Sequence, residues 1–183
     1  MSRIIVWDLE TTGLNPYHDQ IIEIAALDNY GNKFESLVKL DTGKSLSSKV
    51  KEITGITEAM LENQPSIGEV LDKFILFIRG ADYMVGHNSI RFDCLFLKSA
   101  AIKYKKQLDL QDVRQLDTML IYQYYYPGIN SFSLSSLCKC FSINQDNAHR
   151  AMGDVLTTHR LLDRILRTRT SVYESIYLST SMF

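Results

Sequence analysis

Two acids, Asp8 and Glu10, close the apolar run Ile4-Ile5-Val6-Trp7 and directly precede Thr11-Thr12-Gly13-Leu14. In an extended strand, residues two apart share a face. The two carboxylates therefore sit side by side, with Ile4 and Val6 behind them. Paired carboxylates at the end of a buried strand repel, and one is pushed towards protonation. A divalent cation removes the conflict, and an all-oxygen ligand set suits Mg²⁺ or Mn²⁺ rather than zinc. Taken alone, Asp-x-Glu better fits two solvated acids where a strand leaves the core, since short motifs match often by chance.

Two further blocks change that balance: GHNSIRFDCLFL at residues 86–97 and AHRAMGDVLTTHRLL at 148–162. With DLETTG they resemble, in order and wording, the three motifs of the DEDDh branch of the DnaQ-like exonucleases. IIEIAAL, EITGIT, QLDTMLI and PGINSFSLSSLCKCFSI are similar to the segments between those motifs, so the resemblance runs from about residue 3 to 166. It implies an RNase H-like α/β fold, a mixed five-stranded sheet flanked by helices. The family's four acids fall on Asp8, Glu10, Asp93 and Asp154, and its histidine on His149. The implied chemistry is phosphodiester hydrolysis from a 3′ end, releasing nucleoside 5′-monophosphates, with two Mg²⁺ or Mn²⁺ ions about 3.5–4 Å apart. Asp8, Glu10 and Asp154 would hold the first ion. Asp8 would bridge to the second, and Asp93 would complete the site directly or through water. His149 would take the proton of the attacking water, because an imidazole titrates near neutral pH.

The same resemblance assigns the turn Thr11, Thr12, Gly13 and Leu14 to the terminal nucleotide, with Leu14 wedged against its base. His87 and Asn88 stand where relatives keep similar residues, as substrate contacts or as turn and capping residues. Two departures occur. Thr54-Gly55-Ile56-Thr57 replaces the family's frequent His-Gly-Ile-Thr, outside the catalytic set. Three residues separate Asn88 from Phe92, as in the exonuclease I and TREX type; the polymerase proofreading type usually has two. That spacing favours single-stranded DNA ends. RNA 3′-end trimming, as in RNase T or oligoribonuclease, is the near alternative. A silent nucleic-acid- or protein-binding module on the same fold has no need of the intact acids.

His149 and Asp154 are five residues apart. On one helix that separation turns about 140°, so the two would diverge. They converge only if His149 precedes the helix and Asp154 lies in its first turns. The apolar period of Ala151, Val155, Leu162 and Ile165 starts a helix near Arg150 and ends it at Leu166.

The elements that must position these residues follow from pattern. Residues 3–9, 21–29 and 33–40 read as strands in a meander, with a turn at Tyr30-Gly31-Asn32. Residues 41–65 are polar, with a short helix at Thr57–Asn63. Pro65-Ser66 opens a helix carried by Ile67, Val70, Leu71, Phe74, Ile75 and Ile78 and closed by Gly80. Residues 82–86 read as a strand. A helix follows to Tyr104, with Phe92, Leu95, Phe96 and Ser99 inward. Residues 110–126 read as an extended piece and then a helix ending before Pro127-Gly128, and Ser133–Phe141 as another helix. Residues 1–167 form one domain, and 168–183 a tail placed to dock on the domain or a partner.

The 183 residues carry a formal charge of −1, which excludes a polybasic binder but not a site that grips a few phosphates near metal ions. No apolar run is long enough to span a bilayer, and no export signal is seen. Cys94, Cys138 and Cys140 read as buried or half-buried free thiols in a reducing, cytoplasmic compartment. Asp117 and Glu23 read as structural acids, the latter needing a partner if buried. His18 and His159 read as surface residues. Tyr122, Tyr124, Tyr125 and Tyr126 read as packing rather than base stacking, and Arg160, Arg164 and Arg167 as a solvated helical face. The expected partner is nucleic acid with a free 3′ end. The family includes homodimers and components of polymerase or processing machines.

Overall fold

The computed structural model describes residues 2–145 and 147–168. Residues 169–183, nearly all of the expected tail, lie outside the described residues. The three amino-terminal strands, β1 (Ile4–Thr11), β2 (Ile21–Asp28) and β3 (Lys33–Leu37), pair antiparallel. β4 (Tyr83–Gly86) and β5 (Arg114–Asp117) add in parallel on the far side of β1. The sheet order is β3-β2-β1-β4-β5, which is the mixed five-stranded sheet expected.

Alternation along β1 sorts its side chains between two cores. Ile5, Trp7 and Leu9 pack with α3 (Ile67–Ile78) and α4 (Asp93–Lys103) on one face. Val6 packs on the other face with α5 (Thr118–Tyr125), α6 (Leu134–Phe141) and α7 (Ala151–Thr168). Ser66 and Glu69 close a reciprocal capping box on α3, the sequence signal for a helix start. Tyr122 is fully buried, and its hydroxyl donates to the Leu161 carbonyl at 3.0 Å. Tyr126 stacks on Tyr122, so these tyrosines hold α5 to α7, whereas Tyr124 is exposed.

Four expectations need correction. A helix, α1 (Ser48–Thr54), stands where the sequence pattern offers only polar chain, and the next helix, α2, is confined to Glu58–Leu61. The longer one is capped by Ser47 and closed by Gly55 at φ 68°, a left-handed position that suits glycine. Leu95 points outward, 47% exposed, because the inner face of α4 runs through Asp93, Cys94, Leu97 and Ala101. Cys140 is exposed rather than buried. β3 stops at Leu37, and Val38 donates instead to the Ile22 carbonyl.

Candidate active site

The site is built where β1 outruns its parallel neighbour. The last β1–β4 pair is Val6 with Val85, so beyond it the Leu9 N–H has no ladder partner. The Asp93 carboxylate accepts that N–H at 3.1 Å. Asp93 opens α4, where a negative charge is favoured by the helix dipole. It is therefore buried and oriented by the strand that carries Asp8 and Glu10.

Asp8 and Glu10 project from the same face as Val6, towards α7. Asp154 lies in the first turn of α7 and His149 precedes the helix, the arrangement their spacing requires. Carboxylate oxygens of Asp8, Glu10 and Asp154 lie within 4.8 Å of one another. The His149 N–H donates to Asp154 Oδ2 at 3.2 Å, while Asp154 Oδ1 is buried with no hydrogen bond. The His149 residue itself is exposed, on left-handed backbone at φ 63°.

This crowding shows in the acidities. Burial, then the charges of Asp93, Asp154, Glu10 and Glu23, push Asp8 well above the usual carboxylate range. Burial and the charges of Asp154, Glu23 and Asp93 push Glu10 to about 8, against a smaller opposite pull from Arg150. Burial carries Asp93 to about 7 despite the N–H groups it accepts. Asp154 is also raised, chiefly by burial. A group of acids that disfavours its own ionisation, with one buried oxygen unsatisfied, fits a hard divalent cation with oxygen ligands. Among the described residues, the three-acid group that could hold a cation comprises Asp8, Glu10 and Asp154; Asp93 stands outside it, with Oδ1 engaged by Leu9.

The neighbouring turn is rigid. Thr11 Oγ1 donates to the Gly13 carbonyl at 2.6 Å, and Thr12 Oγ1 donates to Asp19 Oδ1 at 3.1 Å. The other Asp19 oxygen accepts the Asn15 N–H at 2.9 Å. A Cβ at Gly13 would lie 2.5 Å from that carboxylate, so a side chain there would displace the group that holds the turn. Both threonine hydroxyls are thus spent on shaping the turn. Leu14 is projected outward, 83% exposed.

His87, expected as a substrate contact or as a turn residue, has both ring nitrogens engaged within the protein. Its Nε2 meets the Phe132 carbonyl and its Nδ1 the Thr118 hydroxyl, both at 2.9 Å. Burial lowers its pKa, against opposite pulls from the Asp117 charge and the Phe132 carbonyl. Phe132's carbonyl can only accept, so Nε2 donates to it, while Nδ1 pairs with the Thr118 hydroxyl, which also donates to the Gly86 carbonyl at 3.1 Å. Neither nitrogen is left for a ligand. Asn88 is left-handed at φ 60° and its N–H donates to Asp117 Oδ1 at 2.9 Å. Asp117 also accepts from Ile90 and Met119, so it is the structural acid expected: it fixes the 87–90 turn and caps α5.

The family model described as "Exonuclease", of the RNase T type, matches residues 5–162. This chain belongs to the DEDDh exonucleases. The chain is 37% identical over 169 residues to the PolC-type DNA polymerase III of Bacillus subtilis (strain 168), covering 89% of this chain and 11% of that protein. It is 33% identical over 171 residues to the DNA polymerase III subunit epsilon of Aquifex aeolicus (strain VF5), covering 90% of this chain and 81% of that subunit. The chain thus spans about a tenth of the PolC-type relatives it matches. In fold it is similar to E. coli exonuclease I in complex with a dT13 oligonucleotide, with a TM-score of 0.86 at 22% identity, covering 97% of this exonuclease and 44% of that chain.

Sequence reasoning missed the partner of Glu23. That residue is fully buried, accepts from Arg150 Nη2 at 2.6 Å and from the Ala151 N–H at 2.9 Å. The signal available was an acid in an otherwise apolar strand. The arginine that answers it is 127 positions away.

Proposed function

We propose that this exonuclease hydrolyses phosphodiester bonds from the 3′ end of single-stranded DNA, releasing nucleoside 5′-monophosphates. The observation that carries the reading is the convergence of Asp8, Glu10 and Asp154 oxygens within 4.8 Å, one of them buried without a partner. A pair of Mg²⁺ or Mn²⁺ ions held there would shield the phosphate charge and supply an acidified water.

The chain's own residues do the rest. Asp8, Glu10 and Asp154 hold cations, and Asp93 keeps the Leu9–Glu10 backbone in place beneath them. His149, exposed at the lip of the group, accepts the proton of the attacking water. Leu14 meets the base of the terminal nucleotide from the outer edge of the Thr11–Gly13 turn, which is rigid before substrate arrives and loses little entropy on binding.

Relatives named as DNA polymerase III chains and the dT13 complex of exonuclease I support DNA as substrate and a polymerase as a partner class. A digestion series tests the reading: matched 5′-labelled DNA and RNA, single- and double-stranded, with Mg²⁺, Mn²⁺ or a chelator. Stepwise shortening of single-stranded DNA, lost with the chelator and in Asp8→Ala, is expected. Faster shortening of RNA would move the assignment to RNA trimming. Wild-type rates in Asp8→Ala would overturn the site.

A further inference from the structure

Glu23 lies directly opposite Glu10 in the β1–β2 ladder and is fully buried. It adds a negative charge to a face already crowded with acids, and a buried carboxylate persists only where it is paired and hydrogen-bonded. Both its oxygens are accounted for. Arg150 Nη2 donates to Oε1 at 2.6 Å, Arg150 Nε lies 3.2 Å from each oxygen, and the Ala151 N–H donates to Oε2 at 2.9 Å.

What this carboxylate grips is specific. Ala151 is the first residue of α7, whose first turn bears Asp154. Arg150 directly follows His149, whose backbone is left-handed and whose N–H reaches back to Asp154. One buried group on β2 therefore anchors both the start of α7 and the residue adjoining the exposed histidine.

We propose that Glu23 and Arg150 form a positioning pair for His149, fixing the backbone from which the imidazole reaches the water-bearing side of the acid group. The inference rests on the reading of His149 as the proton acceptor. Arg150 acts through its neighbour: its Nε and Nη2 are held side-on by Glu23, and the salt dependence below separates this role from a phosphate contact. Lysine would not replace it, since an ammonium lacks the planar fork that spans two oxygens.

A kinetic cycle tests this with single-turnover digestion of a 5′-labelled single-stranded oligodeoxynucleotide in Mn²⁺. The first variant is Arg150→Met combined with Glu23→Gln, which leaves no buried charge unpaired. Turnover should fall about a hundredfold, the scale of a misplaced catalytic group, with KM nearly unchanged. In a His149→Ala background the same change should cost less than about twofold, because residues acting as a unit are not additive. An equal loss in both backgrounds would show a general structural role and overturn the proposal. So would a rise in KM that steepens with salt, the mark of a phosphate contact. If the double variant does not fold by circular dichroism, Arg150→Lys is measured instead, with a smaller turnover loss that again vanishes in His149→Ala. Wild-type turnover in His149→Ala itself would overturn the base assignment and this inference with it. A His149→Ala slowed by about 10²–10⁴, with additive Arg150 losses, overturns this inference alone.

Discussion

His149 and Asp154 are tied through the main chain: the His149 N–H donates to Asp154 Oδ2 at 3.2 Å. Replacing the histidine side chain leaves that donor in place. His149→Ala should therefore keep Mn²⁺ affinity near the wild-type value, measured by titration calorimetry, while turnover falls by about 10²–10⁴, the usual worth of a general base. Asp154→Asn should do the reverse first, weakening Mn²⁺ binding because it replaces the buried, unsatisfied Oδ1 site with an amide. Equal loss of metal affinity in both variants would refute the division of labour.

That division was partly legible in the sequence, and for a physical reason. Period two in a strand placed Asp8 beside Glu10, and the helical repeat put His149 ahead of a helix bearing Asp154. Both are short-range constraints. Asp93's bond to the Leu9 N–H depends on β4 ending before β1 does, which no local pattern records. The pairing of Glu23 with Arg150 joins a strand to a helix start across most of the chain. The outward turn of Leu95 is poorly marked in the sequence because α4 is apolar around much of its girth. α1 is weakly marked even though Ser47 and Gly55 carry its cap signals, because its interior, Lys49 to Thr54, offers little apolar period.

The acid group should make the metal-free protein sensitive to alkali. Asp8, Glu10, Asp93 and Asp154 all have native pKa values raised above those of the unfolded chain. The native state then binds more protons, so their contribution is full below the unfolded values and is lost as pH rises through the native ones, about 7 for Asp93 and about 8 for Glu10. In chelator, Glu10→Gln should melt above wild type at about pH 9 and close to it at about pH 5. Mn²⁺ should stabilise wild type most at the alkaline end. Thermal melts across pH, with and without the ion, check this. A Glu10→Gln advantage that is absent at high pH, or largest in acid, would contradict it.

Gly86 tests the support beneath the 87–90 turn. A Cβ there would lie 2.3 Å from Ser89 Cβ and 3.3 Å from the Trp7 carbonyl. Gly86→Ala should cost about 1–3 kcal/mol by overpacking, read by urea denaturation. Asp117→Ala should cost at least as much, since it leaves the partly buried N–H groups of Asn88 and Met119 without their acceptor. A stability within about 0.5 kcal/mol of wild type for both would mean the turn tolerates repacking.

Leu14 separates binding from folding. It is 83% exposed and projects from a turn held by Thr11, Thr12 and Asp19, so its side chain contributes little to the native core. Leu14→Ala should leave stability within about 0.5 kcal/mol of wild type. If the leucine is covered by the terminal base, its truncation forfeits about 1.5–3 kcal/mol of apolar burial, and KM for single-stranded ends should rise by roughly ten- to a hundredfold. Leu76, 63% exposed on α3, is the matched control, and Leu76→Ala should change neither quantity. Thermal melts and steady-state digestion of the same preparations decide the point. An unchanged KM in Leu14→Ala would remove this residue from the substrate path and leave the turn as scaffold for Asp8 and Glu10 alone.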